Sequence, residues 1–166
     1  MQSYEIFLDT YGRVREGVHR LLAGADEALL TYRPGPDANS IAWLIWHLTR
    51  ILDDHVMDIA GREQVWIADG WSERFDLPFT DTATGYGHTS EEVAQVRATP
   101  ELLLGYHDAT QDAVAEFLSG ITDADLDRIV DEGWDPPVTM GVRLVSVIGD
   151  THQHLGQAAY ITGLYR

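Results

Sequence analysis

Apolar side chains recur at Tyr4, Phe7, Leu8, Tyr11, Val14, Val18, Leu21 and Leu22, with Arg13, Glu16 and Arg20 off that stripe. Steps of three and four residues predict an amphipathic helix over residues 3–22. Gly24 ends it, and the following DEALLTYRPGP reads as a short helical turn before a proline-rich break. A second stripe through Ile41, Leu44, Ile45, Leu48, Leu52, Val56 and Ile59 predicts a helix capped by Asn39 or Ser40 and stopped by Gly61. Residues 61–88 hold no sustained period, which predicts a long connection of the kind that often carries binding residues. Periodicity returns at Ser90, breaks at Thr99-Pro100 and resumes through Leu103, Tyr106, Val114 and Phe117 to Gly120. Pro100 suits the first position of that new helix. Within residues 122–139, EGWDPPVT reads as a turn or a short extended excursion, and the last helix runs from near Met140 to the C-terminus. Four helices of about 20 residues, with a long crossover between the second and third, predict an all-α four-helix bundle.

Composition narrows the chemistry. A length of 166 residues suits one domain, residues 1–166, with a substantial core. With no cysteine, the chain has no disulfide, iron–sulfur cluster, thiolate zinc site or cysteine nucleophile, so any metal takes nitrogen and oxygen ligands. Acidic residues number 27 against 11 basic ones, a formal charge of −16. Such a chain repels phosphate backbones and anionic lipid, so a small molecule is the expected ligand, with no nucleic acid and no membrane as partners. No stretch approaches about 18 consecutive apolar residues. The opening MQSYEIFLDTYGRVREG has acidic side chains where a signal peptide has a basic segment, and the cytoplasm is the expected compartment. The second helix is apolar on several faces from Ile41 to Trp46, which predicts surface left over for a homodimer.

The last helix carries the most pointed signal. From Leu144 to Tyr165 its one formal charge is Asp150, which predicts a helix buried nearly all round. A carboxylate in such a place is costly unless it is paired or binds a cation. At about 100° per residue, His154 falls one turn after Asp150 on the same face, with Gln157, Ser146 and Arg143 nearby. His152 is rotated away by roughly 200°. On the second helix His47 lies at the edge of the apolar stripe, on the side of Asp54 and Asp58, while His55 falls nearer its middle. His47, Asp150 and His154 thus form a candidate metal site, and two histidines with one carboxylate leave coordination positions open. The competing structural reading pairs Asp150 with Arg143 or a neighbouring backbone, and spacing alone does not decide between them. Asp53, Asp54 and Asp58 read as solvated acids or partners of Arg50 and Arg62. Trp43 and Trp46 read as core or contact residues, His88 as a loop or cap residue, and His19 and His107 as ordinary helix residues.

Two segments, NSIAWLIWHLTRILDDHV around His47 and PPVTMGVRLVSVIGDTHQHLGQAAYITGL around His154, resemble the DinB/YfiT-like metalloenzyme superfamily, and more closely an actinobacterial, mycothiol-transferase-like branch of it. The resemblance spans essentially the whole chain. It implies a four-helix bundle with a divalent metal near one end, held by one histidine of the second helix, matching His47, and an H-x-x-x-H pair of the last. The later histidine of that pair matches His154, and the earlier falls on Asp150, a departure from the family. Zinc or nickel would follow the family; the altered set also suits iron(II) or manganese. The resemblance further implies a transferase using a low-molecular-weight thiol such as mycothiol. Trp66, Trp71, Tyr86 and His88 are expected in the pocket wall, and Arg143 with the Arg50/Arg62 region as thiol anchors. The alternatives are a hydrolase or isomerase using metal-bound water, with His88 or Asp54 as base, and a stress-related metal-binding protein without turnover.

Overall fold

In the computed structural model, which describes residues 2–165, four long helices carry the apolar stripes: α1 (Ser3–Leu22), α3 (Ile41–Ala60), α7 (Pro100–Leu118) and α8 (Met140–Leu164). Between them lie four short helices: α2 (Glu27–Thr31), α4 (Val65–Ala68), α5 (Trp71–Phe75) and α6 (Ser90–Gln95). A 3₁₀ turn (Asp123–Asp127) and a two-stranded antiparallel ribbon of β1 (Ile129–Asp131) and β2 (Val138–Thr139) precede α8. The helix ends follow the local chemistry of the chain. Ser40, Thr99 and Thr139 each accept a backbone N–H in the first turn of α3, α7 and α8, and Gly61 closes α3 in the left-handed conformation, φ 64°.

Each long helix packs against two others, α3 and α1 each lying between α7 and α8, so that the four close a ring. The core fills that ring in two clusters. One gathers Val14, Leu44, Trp46 and Tyr106 with Trp66 and Phe75 from the crossover; the other gathers Phe7, Leu52, Val114, Leu118 and Leu144. The connection over residues 61–88, which lacks a sustained period, carries the short helices α4 and α5, and the periodicity that returns at Ser90 is α6. α4 and α5 are too brief to show a repeat; α4 packs on α3 and α7, and α5 packs on α7.

Two expectations meet the same difficulty, that freedom from charge does not say whether a face is covered. The outer face of α8 is open to solvent, with Val142, Val145 and Tyr160 among the exposed apolar residues, so α8 is buried on one side only. Conversely, Ile41–Trp46 is buried within this chain, under the crossover, and offers no surface to a second copy. Asp53, read as either a solvated acid or a partner of Arg50 or Arg62, is the partner of Arg50, and the pair is fully buried. Among the described residues, no helix is long and apolar enough to cross a membrane.

Candidate metal centre

α3 and α8 run antiparallel where they touch, His47 meeting His154 and, further along, His55 meeting Arg143. That pairing places the three residues singled out by spacing on one seam. One ligand atom each from His47, Asp150 and His154 lies within 4.8 Å of the others, near enough for a single ion to draw together. His47 is buried, and Asp150 and His154 are half-buried, so the cluster opens toward solvent on the α8 side.

Each histidine is held by a partner behind it. His47 Nδ1 donates to the Thr84 carbonyl, and His154 Nδ1 donates to Gln157 Oε1 at 2.9 Å. With the proton on Nδ1, the lone pair of each neutral ring is on Nε2, and the Nε2 of His154 stands 3.4 Å from Asp150 Oδ1. Burial lowers the His47 pKa and keeps that ring neutral, although its bond to Thr84 works the other way. For His154 burial also acts to lower the pKa, but the hydrogen bonds to Asp150 and Gln157 together outweigh it and the net shift is upward. Trp43 stacks on His47, ring centroids 4.5 Å apart, and meets His154 edge-on, giving the cluster an apolar floor.

Whether these residues suit a metal is decided at Asp150. Its Oδ2 is buried without a hydrogen-bond partner, an arrangement that costs free energy unless a cation stands there. Arg143 does not supply it: that guanidinium pairs with Asp131 and lies against His55 Nδ1 at 3.3 Å. The donor set of two imidazoles and a carboxylate fits a borderline divalent ion such as zinc, and equally nickel, iron(II) or manganese.

The surroundings differ from expectation in several places. Trp66 is in the core rather than in a pocket wall, Trp71 is half-buried over Gly105, and Tyr86 is 91% exposed. His88 does come close: it stacks on Trp46 and receives the Trp43 indole N–H at 3.2 Å, and burial lowers its pKa. Arg50 is fully buried and cannot anchor a ligand. Arg62 and Asp54 line an open depression of about 460 Å³ with His55, Asp58, Gln64 and Asp81, which none of the three candidate ligands lines. His152 points outward, its Nδ1 bonded to the Ile148 carbonyl, as its rotation on the helix predicts.

Sequence reasoning missed the segment around Thr84-Gly85. Gly85 has φ 93°, and a Cβ there would lie 2.8 Å from His47 Nδ1 and about as close to the rings of Trp46 and Trp43. Only glycine lets this backbone lie flat on the ligand. The pair of glycines in GYGH was the available signal.

An all-α fold with a two-histidine, one-carboxylate cluster on an antiparallel helix seam defines a class of helical proteins with a candidate mononuclear metal centre. The pattern that defines the DinB superfamily matches residues 10–158, and the chain belongs to that superfamily. A crystal structure of a conserved protein from Enterococcus faecalis has a TM-score of 0.91 to this chain at 34% sequence identity, the match covering 98% of this chain and 96% of that one. No curated protein matches the sequence.

Proposed function

We propose that this protein is a metal-dependent transferase that takes a low-molecular-weight thiol, such as mycothiol, as cosubstrate, with the ion held by His47, Asp150 and His154. The observation that carries the metal reading is the buried, unpartnered Oδ2 of Asp150 beside two histidines whose outer nitrogens are already committed. A divalent ion there supplies Lewis acidity and lowers the pKa of a thiol that reaches it. The chain's own residues orient the imidazoles, exclude water on the Trp43 side and leave the α8 side open for a ligand. A thiol brought by a cosubstrate is consistent with a chain that has no cysteine.

Elemental analysis of the purified protein and of Asp150→Ala and His154→Ala tests the first half. About one equivalent of transition metal is expected in the parent and little in either variant. A parent that carries none after incubation with zinc, nickel, iron(II) and manganese would remove the proposal. Turnover of electrophiles with and without added thiol tests the second half. Conversion that persists without thiol moves the reading to a metal-dependent hydrolase or isomerase.

A further inference from the structure

Arg50 lies one turn beyond His47 on α3 and has no exposed surface. A guanidinium removed from water needs its donors answered, and here they are. Its Nε donates to the Ala83 carbonyl at 3.1 Å and Nη2 to the Asp81 carbonyl at 3.3 Å. Its Nη1 donates to Gln64 Oε1 at 2.8 Å and to the Tyr106 hydroxyl at 3.2 Å. The plane of the group also lies over Trp66, 5.0 Å from the ring centroid.

The simplest role for such a residue is to neutralise Asp53, whose Oδ2 is 3.6 Å from Nη1. That role leaves most of the geometry unexplained. Asp53 is already answered by the backbone N–H groups of Val65 and Trp66 and by the Tyr106 hydroxyl, at 2.8–2.9 Å. Arg50 instead spends its other edge on two carbonyls of one short segment. The next carbonyl in that segment, Thr84, is the one that accepts from His47, and the next residue, Gly85, lies flat on the His47 ring. Residues 81–85 therefore form a strap laid along α3, fastened by Arg50 at one end and resting on His47 at the other. Gln64, which takes Arg50 Nη1, also donates to Asp54 Oδ1 at 2.7 Å and ties the start of α4 into the same fastening.

We infer that Arg50 is a positioning residue for the metal centre: by holding the Asp81 and Ala83 carbonyls it fixes the strap so that Thr84 keeps His47 in its Nδ1-protonated form with Nε2 turned toward Asp150 and His154. This rests on the reading of His47 as a metal ligand. Partners that orient a ligating imidazole commonly shift metal affinity by about 10- to 100-fold. Arg50 acts one step further out, through the strap.

The test compares the parent with Arg50→Lys and with the charge-balanced pair Arg50→Met/Asp53→Asn, so that one variant keeps the charge and the other leaves no buried carboxylate unpaired. Leu118→Ala, in the second apolar cluster, controls for general loss of stability. Nitrogen-15 NMR of the metal-free proteins reads the His47 tautomer, and chelator competition reads zinc affinity. The parent is expected to show one His47 tautomer with the proton on Nδ1. Both Arg50 variants should show a mixture and bind zinc about 10-fold or more weakly, while Leu118→Ala changes neither. Arg50 variants with the parental tautomer and affinity overturn the inference, as does Leu118→Ala if it reproduces their losses. A parent that takes up no zinc sinks the metal reading, yet the tautomer populations still decide whether Arg50 positions the ring.

Discussion

Gln157 does for His154 what the Thr84 carbonyl does for His47: it accepts the Nδ1 proton and leaves Nε2 for the centre. Replacing it by leucine removes the acceptor without adding charge, and Gln157→Leu should weaken zinc binding by about 10- to 100-fold in chelator competition. Affinity equal to the parent would mean that packing against Trp43 alone orients the ring. Gly85 sets a different kind of constraint, because backbone conformation and space both exclude a side chain. With φ at 93° and His47 Nδ1 only 2.8 Å from the would-be Cβ, Gly85→Ala should lose about 1–3 kcal/mol in urea denaturation and bind metal less well. Helical spacing alone places Gln157 on the face of Asp150 and His154. It could not reveal Thr84, whose contribution is a backbone carbonyl that every residue type carries.

At the level of elements, the ends of the long helices were legible because the caps are chemical. Ser40 and Gly61 bound α3, Thr99 and Pro100 open α7, and Thr139 opens α8, each for a reason local to a few residues. Thr139 accepts from the Val142 N–H, and Thr139→Ala should cost about 1 kcal/mol of stability. A denaturation midpoint unchanged by that substitution would show that the β1–β2 ribbon holds the start of α8 by itself. The crossover was the least legible part. α4 and α5 have four and five residues, less than two turns each, so no repeat can appear in them. What places them is tertiary: Asp53 on α3 answers the first N–H groups of α4, and Trp66 packs against Phe75 and Tyr106.

Across the whole molecule, acid sensitivity should trace to a residue that the sequence presents as ordinary. His107 is buried between α7 and α3, with Nδ1 on the Thr49 hydroxyl at 2.9 Å and Nε2 near Gln111 Nε2 at 3.3 Å. Because Thr49 gives its own proton to the Ile45 carbonyl, His107 is the donor at Nδ1 and stays neutral. Burial lowers its pKa from 6.5 to about 3. The unfolded chain takes up a proton near pH 6.5 that the folded chain refuses until about pH 3, so stability is full above that window and falls as pH drops through it. The slope from this one group approaches about 1.4 kcal/mol per pH unit. Denaturation of the parent and of His107→Gln between pH 7 and pH 4 should show a flatter acid limb in the variant; parallel limbs would assign the loss to other groups.

Sequence by itself determined the four long helices, most of their ends, the exclusion of thiolate chemistry and the candidacy of His47, Asp150 and His154. Those features follow from periodicity and from residue type, which the linear chain states directly. Tertiary structure decided which uncharged surfaces are covered. Ile41–Trp46 and the outer face of α8 are equally free of charge, yet the first is covered and the second is left open by the described residues. It also decided that Asp53 and Arg50 are interior and that a strap of backbone holds His47. Burial and carbonyl contacts depend on which distant segments come together, and a one-dimensional pattern carries no record of that.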